Sequence, residues 1–140
     1  MQDDPYDLRR FVEAPREVYA QVCAELRAGR KTSHWIWFIF PQIQGLGHSA
    51  MAQRFALSSL DEARAYLAHP TLGPRLIECT ELVLGVRGRS IEQILGDVDA
   101  MKFRSSMTLF ARAATEPSVF TEALNRLLGG EPDALTLSRL

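Results

Sequence analysis

One predicted helix in the C-terminal half of the chain carries an amine and two hydroxyls on a single face. Lys102, Ser105 and Ser106 are spaced i, i+3 and i+4, which places their side chains next to one another on a helix. Such a group could hold a phosphate or carboxylate. It could also form a Ser/Lys pair, in which a desolvated lysine activates a serine as nucleophile. A solvated face, whose hydroxyls bond back to carbonyls of the preceding turn, fits the same pattern. The spacing leaves these interpretations open.

A second set of polar residues borders the most apolar run of the chain, HWIWFIFPQ (residues 34–42). His34 opens the run, Gln42 ends it, and Ser49 follows a GLG turn whose glycines allow the backbone to approach a ligand closely. The Gln42 amide both donates and accepts, which suits either the amide edge of a ligand or a backbone cap. A buried aromatic wall with polar margins is typical of a small-molecule pocket, although an ordinary core segment ends in the same way.

Trp35 and Trp37 lie in the middle of this run. In a strand they would share a face, whereas in a helix they point to different sides. The aromatic and β-branched content favours a strand, but no partner strand is evident elsewhere, and an orphan strand cannot satisfy its backbone groups in a core. We therefore predict a buried helix that begins near Thr32 or Ser33 and ends before Pro41. Both tryptophans can be core residues; alternatively one lines a cleft, where its ring could stack on a nucleobase.

The remaining segments also have helical patterns with recognisable ends. Ser59 and Ser90 are each followed three residues later by Glu or Gln, which is the spacing of a capping box, and Gly29 suits a helix C-cap. The fold class predicted is all-α: a compact single domain (residues 1–140) of many helices around the buried aromatic segment. Helices are expected over residues 5–12, 15–28, 49–55, 59–68, 70–86 (or 74–86, since either proline could begin this helix), 90–95, 98–114, 117–128 and 134–140.

Composition excludes several kinds of function. The 140 residues carry a net charge of −1 with no stripe of Lys and Arg, so we expect no nucleic-acid partner. The longest apolar run, residues 35–41, is too short to span a bilayer, and no apolar signal segment follows the N-terminus, so we expect no membrane partner. Cys23 and Cys79 fit neither a zinc nor a redox spacing, and the three histidines form no ligand pattern. No metal and no cofactor are predicted, and the expected location is the reducing cytoplasm.

Five segments of the chain carry a family resemblance: HWIWFIFPQ (34–42), GLGHS (45–49), YLAHPTLGPRL (66–76), DAMKFRSSMTLF (99–110) and PDALTLSRL (132–140). In these segments the chain resembles one bacterial protein family, the domain-of-unknown-function family numbered 1810. The resemblance implies a compact, mostly helical fold and no particular activity. Members are sometimes labelled calpastatin-like, but calpastatin is a disordered, repeat-containing inhibitor, whereas this composition is that of a folded domain.

A fainter similarity is to the NADAR (YbiA-like) domains, which act on ADP-ribose-linked or riboflavin-pathway compounds. It rests on the order of an aromatic segment, the SAMAQRF helix (49–55), a turn at residues 72–75 and a Lys-Phe pair at residues 102–103. The chain departs from that family between Trp35 and Leu60, where it has no acidic residue and the family carries its catalytic glutamate. The similarity therefore does not extend to N-glycosidic hydrolysis.

Taken together, the sequence favours a protein that binds an anionic small molecule, such as a nucleotide or an ADP-ribose-like compound, with or without catalysis. The competing hypothesis is a non-catalytic structural or protein-interaction module, for example a homodimer, and a third is hydrolysis through Ser105 or Ser106. The pocket is expected between the aromatic segment, the GLG turn and the helix of Lys102. The predicted ligand contacts are His34, Trp37, Gln42, Ser49, Arg75, Lys102 and Ser105.

Overall fold

The computed structural model describes residues 4–140, and its regular elements are helices, which confirms the all-α prediction. An isolated parallel bridge between Ile43 and Leu57 is the one extended pairing in that range. The helices are α1 (Arg9–Glu13), α2 (Tyr19–Ala28), α3 (Ile36–Ile39), α4 (Ala50–Arg54), α5 (Leu60–Ala68), α6 (Leu72–Leu84), α7 (Ile91–Leu95), α8 (Asp97–Ala113), α9 (Val119–Leu127) and α10 (Ala134–Leu137).

The aromatic segment is helical, as predicted, but α3 is a single turn that begins later than expected. The delay has a local cause, because the backbone N–H groups of Thr32 and Ser33 donate to the carboxylate of Glu25, at 2.8 and 3.1 Å, and residues 32–35 stay non-helical. At the other end Phe40 leaves the helical conformation, and Pro41 has no N–H with which to continue it. The segment therefore enters the core as one turn between two loops.

The longest helix, α8, lies at the centre of the core and packs against α3, α5, α7, α9 and α10. Phe103 meets Phe40 of the aromatic segment edge to face, with ring centroids 4.9 Å apart. Two turns further on, Phe110 lies between Tyr66 and Phe120, at 5.3 and 5.7 Å. Each of these buried rings contributes roughly 1.5–3 kcal/mol through removal of apolar area from water. The tryptophan segment, α5, α8 and α9 thus share one aromatic core.

One of the two predicted capping boxes forms. Ser90 accepts from the backbone N–H of Gln93, and the Gln93 side chain accepts in return from the backbone of Ser90. At Ser59 only half of the box is present, which corrects the prediction. The Glu62 backbone donates to Ser59, but its carboxylate is buried and accepts instead from Ser58 and from the guanidinium of Arg10. Glu62 thereby ties the N-terminal segment to α5.

Polar residues on α8 fasten the C-terminal segment to the core. Arg104 donates to the carbonyls of Leu128 and Glu131, at 3.2 and 2.7 Å. One turn later the Thr108 hydroxyl accepts from the backbone N–H of Asp133 at 2.8 Å while it donates back to the carbonyl of Arg104. These bonds fix where α10 begins. Because α10 leads directly to Arg139, they also decide which part of the molecule that arginine can reach.

Candidate ligand-binding site

The two tryptophans of the aromatic segment have different environments. Trp35 is 1% exposed and donates from its indole Nε1 to Glu25 at 3.0 Å. Trp37 is only partly buried, and its ring forms part of the wall of a surface cavity. This is the arrangement expected of a helical segment, with one ring in the core and the other lining a cleft.

Glu25 completes the core side of the segment. Its buried carboxylate accepts hydrogen bonds from the side chains of Gln21, Ser33 and Trp35 and from the backbone of Thr32 and Ser33, at 2.6–3.1 Å. Burial alone would raise the pKa of this carboxyl, but the hydrogen bonds to its charged form outweigh burial and lower the pKa to about 2. Glu25 is therefore ionised at neutral pH and serves the fold, since four of its five donors, in Thr32, Ser33 and Trp35, belong to the segment that it holds.

The cavity beside Trp37, named the Trp37 cavity below, has a volume of about 410 Å³. Four segments form it: α3, the loop through the GLG turn, α4 with the residues that follow it, and the C-terminal segment. Amide, imidazole and guanidinium groups surround the indole, so the wall combines one aromatic face with several hydrogen-bonding groups. The lining residues are Trp37, Gln42, Ile43, Gln44, Gly45, Gly47, His48, Ala52, Gln53, Phe55, Ala56 and Arg139.

Arg139 is held against the GLG turn at the edge of this cavity. Gly45 has a left-handed backbone (φ 96°), and a Cβ at this position would overlap the guanidinium of Arg139. The left-handed backbone of the turn therefore favours glycine here, whereas the guanidinium is the end of an exposed, flexible side chain that could shift to admit a Cβ. No carboxylate among residues 4–140 forms an ion pair with Arg139. The cavity thus has a guanidinium on its wall whose charge is not neutralised by a carboxylate of the described chain.

A chain of charged groups links the two tryptophans on the side of α8. The Lys31 ammonium lies 5.0 Å from the Trp35 ring centroid and 2.7 Å from the carboxylate of Asp99. The other oxygen of Asp99 lies 3.9 Å from the ammonium of Lys102, which is 5.3 Å from the centroid of Trp37. A cation over an indole contributes about 0.5–2 kcal/mol, depending on its solvation. Lys102 therefore helps to hold the Trp37 ring in place.

The indole nitrogen of Trp37 is an unsatisfied group. In residues 4–140, Trp37 Nε1 and Ser106 Oγ are the buried side-chain nitrogen or oxygen atoms without a hydrogen-bond partner. A buried donor left unpaired costs roughly 1–3 kcal/mol, and such groups are rare in folded proteins. The Nε1 of Trp35 is paired, so the unpaired donor of the segment belongs to the tryptophan whose side chain lines the cavity.

A second cavity adjoins the first, since Gln42 and Gly47 line both. This Met101 cavity measures about 220 Å³ and is mainly apolar. Three of its residues are unusually exposed for large apolar side chains: Val98 (65%), Met101 (70%) and Leu135 (66%). Its remaining lining residues are Leu46, Lys102, Ser105 and Asp133.

Four of the seven predicted contact residues lie at these cavities. Trp37 and Gln42 line the Trp37 cavity, while Gln42, Lys102 and Ser105 line the Met101 cavity. The hydroxyl of Ser105 donates to the carbonyl of Met101 at 3.2 Å, as the back-bonding interpretation of this helix predicts. Contact between these residues and a ligand stays a prediction.

The other three predicted residues line neither cavity. His34 is exposed at the start of the segment, and Ser49 caps α4 by accepting from the backbone N–H of Ala52 at 3.1 Å. Arg75 lies over the ring of Tyr19, 4.9 Å from its centroid, and donates to a backbone carbonyl of the N-terminal segment. The structure does not bring these three together with Trp37.

Four polar residues of the Trp37 cavity were absent from the predicted set: Gln44, His48, Gln53 and Arg139. The first three lie within a short distance of the GLG turn along the chain, so the turn itself was the available signal. Arg139 had no such signal, because its place at Gly45 follows from the hydrogen bonds between α8 and residues 128–133.

The chemistry of hydrolysis through Ser105 or Ser106 finds no support in the geometry. Within the described residues neither hydroxyl is hydrogen-bonded to Lys102, and Ser106 is fully buried. The buried thiol of Cys79 is no better placed as a nucleophile, because burial raises its pKa to about 12 and keeps it protonated at neutral pH. No cluster of three or more His, Cys, Asp or Glu side chains in residues 4–140 could hold a metal ion.

Comparison with known proteins establishes the family. The chain belongs to the family described as "Protein of unknown function (DUF1810)", which matches residues 5–140. It is also similar to the crystal structure of the conserved hypothetical protein Rv1873 from Mycobacterium tuberculosis, with 55% sequence identity, a TM-score of 0.96 and coverage of 98% of each chain. No curated protein matches the chain. The predicted family is confirmed, and neither description names an activity. The fainter similarity to NADAR domains stays a prediction.

Among residues 4–140 no helix combines the length and the hydrophobicity needed to cross a bilayer.

Proposed function

We propose that the protein binds a polar, anionic small molecule in the Trp37 cavity, with nucleotides and ADP-ribose-like compounds as the leading class. One observation carries the proposal: a cavity of about 410 Å³ combines an indole face, several side-chain amides and a guanidinium without a carboxylate partner. Ligand pockets of roughly 300–1,000 Å³ with an apolar wall and a few convergent polar groups are the usual form of a small-molecule site.

Each part of the wall has a distinct role in this proposal. The Trp37 ring offers a flat surface for a planar group of the ligand, and the Lys102 ammonium steadies that ring. The amides of Gln42 and Gln53 both donate and accept, which suits the edge of a base or a ribose hydroxyl. Arg139 supplies a planar, permanently charged fork that fits a phosphate or carboxylate in bidentate geometry.

The proposal is for binding, and it assigns no reaction. No aspartate or glutamate lines the Trp37 cavity, so a carboxylate acid or base is missing from its wall. His48 is the titratable group there other than Arg139. We also propose a cytoplasmic location, which the two free, buried cysteines support.

The test is a thermal-shift measurement with ADP-ribose, AMP, ADP and ATP. A ligand that binds only the folded state raises the melting temperature with its concentration. We expect at least one of these compounds to do so for the wild-type chain. Arg139→Gln should remove the shift, whereas the matched control Arg112→Gln, an exposed arginine outside both cavities, should retain it. Equal shifts in both variants, or no shift for any compound, would contradict the proposal.

A second candidate function rests on a different observation, the exposure of Val98, Met101 and Leu135 around the Met101 cavity. Contiguous exposed apolar side chains mark protein-interaction sites as well as ligand sites. In this alternative the chain is an interaction module and associates with a second copy through this surface. Size-exclusion chromatography with light scattering distinguishes the two, since a dimer has twice the mass and Met101→Gln would return it to a monomer.

A further inference from the structure

The exposed apolar side chains of the structure are concentrated at one place. Within residues 4–140, the most exposed large hydrophobic side chains are those of Met101, Leu135 and Val98, at 70, 66 and 65%. All three line the Met101 cavity. Other exposed hydrophobic residues, such as Val18 and Ile77, reach only 39%. Apolar area that is exposed to water is unfavourable, so a ligand group that covers these side chains gains free energy on binding.

We infer that the ligand of the Trp37 cavity is amphiphilic, with its anionic group at Arg139 and an apolar group on Val98, Met101 and Leu135. This inference rests on the proposed function and names the class of ligand more narrowly. It requires the two cavities to be neighbours, and the shared lining residues Gln42 and Gly47 meet that requirement.

The charges around the two cavities favour an anion over a cation. Lys102 lines the Met101 cavity and Arg139 lines the Trp37 cavity, so each of the two adjoining cavities has a basic group on its wall. The one acidic lining residue, Asp133, uses a carboxylate oxygen to accept from the backbone and hydroxyl of Thr136 and thereby caps α10. Its charge is engaged at a helix N-terminus, which lowers its capacity to repel an anion.

The side chains that would cover the apolar group are suited to adapt to it. Met101 is unbranched and polarisable and can follow irregular shapes, and it projects from α8, whose opposite face is fixed in the core. Leu135 comes from α10, which the hydrogen bonds of Arg104 and Thr108 hold beside α8. The apolar surface therefore stands on two anchored helices and is present before a ligand arrives.

The test is a comparison of three probes that share a phosphate: inorganic phosphate, n-butyl phosphate and n-octyl phosphate, each below its micelle concentration. Binding is measured by isothermal titration calorimetry. The wild-type chain should bind octyl phosphate at least about tenfold more tightly than butyl phosphate, because its four additional methylenes remove apolar area from water when they are buried. Met101→Gln, a change at an exposed position, should remove this difference while butyl phosphate still binds. The matched control Ile77→Gln, on α6, should keep the difference.

The outcomes separate this inference from the proposed function. If nucleotides shift the melting temperature in an Arg139-dependent way but octyl phosphate binds no better than butyl phosphate, or does not bind, the amphiphilic ligand is overturned and the polar site stands. If octyl phosphate binds equally to the wild type and to Met101→Gln, the inference is also overturned. If neither nucleotides nor phosphates depend on Arg139, both proposals fail. A dimer that Met101→Gln dissociates, without dependence on chain length, assigns the surface to a second copy and overturns the inference.

Discussion

Trp35 and Trp37 come from the same short turn, yet one is part of a completed structure and the other stands at its edge. The indole nitrogen of Trp35 donates a hydrogen bond to Glu25, and the Glu25 carboxylate also accepts hydrogen bonds from neighbouring donors. The indole nitrogen of Trp37 has no partner, and its ring lines a cavity of about 410 Å³. The comparison teaches that a single aromatic run can supply both the core and the candidate site, since a helical turn sends residues i and i+2 in different directions.

The two regions are connected through Asp99. This carboxylate binds the ammonium of Lys31 closely and that of Lys102 more loosely, at 2.7 and 3.9 Å, and each ammonium lies over one of the tryptophans. The core side of the link is nearly closed to solvent, with the Lys31 side chain 6% exposed, whereas the Lys102 side chain is more open. Changes on the core side should therefore reduce stability, and changes on the cavity side should reduce binding.

The largest effect is expected from Glu25→Ala. The substitution leaves the N–H groups of Thr32, Ser33 and Trp35 without their acceptor, and a buried unpaired donor costs roughly 1–3 kcal/mol each, so the free energy of unfolding should fall by about 4 kcal/mol. Urea denaturation measures the change. Glu17→Ala, at an exposed position in the turn before α2, is the control and should change stability by less than about 0.5 kcal/mol. A similar small loss in both variants would mean that Glu25 does not organise the segment.

The next effect separates the tryptophans directly. Trp35→Leu should lower the free energy of unfolding by about 3 kcal/mol, because it opens a cavity in the core and removes a donor from Glu25. Trp37→Leu should cost about 1 kcal/mol or less, since the ring is partly exposed and its nitrogen is unpaired, but it should remove the nucleotide-dependent thermal shift. Denaturation and thermal-shift measurements on the two variants test both statements. A larger loss of stability in Trp37→Leu than in Trp35→Leu would contradict the assignment of Trp35 to the core and of Trp37 to the cavity wall.

Acid should act on the core side through Glu25. Its pKa in the folded chain, about 2, lies below its ordinary value of 4.5, so the ionised form stabilises the fold above pH 4.5 and this contribution is lost as pH falls towards 2. The free energy of unfolding, measured in urea from pH 7 to pH 2.5, should therefore decline below about pH 4.5. In Glu25→Gln, which cannot titrate at this position, the decline should be shallower. Parallel profiles for the two proteins would assign the acid sensitivity to other groups.

The two lysines that pair with Asp99 should differ, and the smaller change in stability is expected at Lys102. Lys31→Ala should lower the free energy of unfolding by about 2 kcal/mol because it breaks a nearly buried ion pair, although Asp99 keeps Lys102 as a partner. Lys102→Ala should cost less than 1 kcal/mol and abolish ligand binding, because it removes the cation over Trp37 and from the Met101 cavity. Thermal melts with and without the nucleotide identified by screening report both properties. Unchanged affinity in Lys102→Ala would remove this lysine from the site.

Much of the helical architecture was predictable because its signals are local. Ser90 with Gln93 and Gly29 at a C-cap mark helix ends through neighbours only a few positions away, and the corresponding helices are present. The late start of α3 was not predictable, since it depends on Glu25, a residue of the preceding helix whose burial the pattern does not specify. The side chain of Glu62 was mispredicted for the same reason, because Arg10 competes for it from a distant segment.

The residues of the candidate site also divide into those that local sequence patterns indicate and those that only the tertiary structure places there. Trp37, Gln42 and the GLG turn are close in sequence, so their types and spacing sufficed to place them around one pocket. By itself, then, the sequence determined the all-helical class, the family and the aromatic wall of the cavity. Each of these depends on short-range periodicity or on continuous segments of the chain. The tertiary structure alone decided that Arg139 would meet Gly45 while Arg75 would lie on Tyr19. The first position depends on how α8 anchors the C-terminal segment, and the second depends on the packing of α2 against α6. No local pattern encodes contacts between residues so far apart.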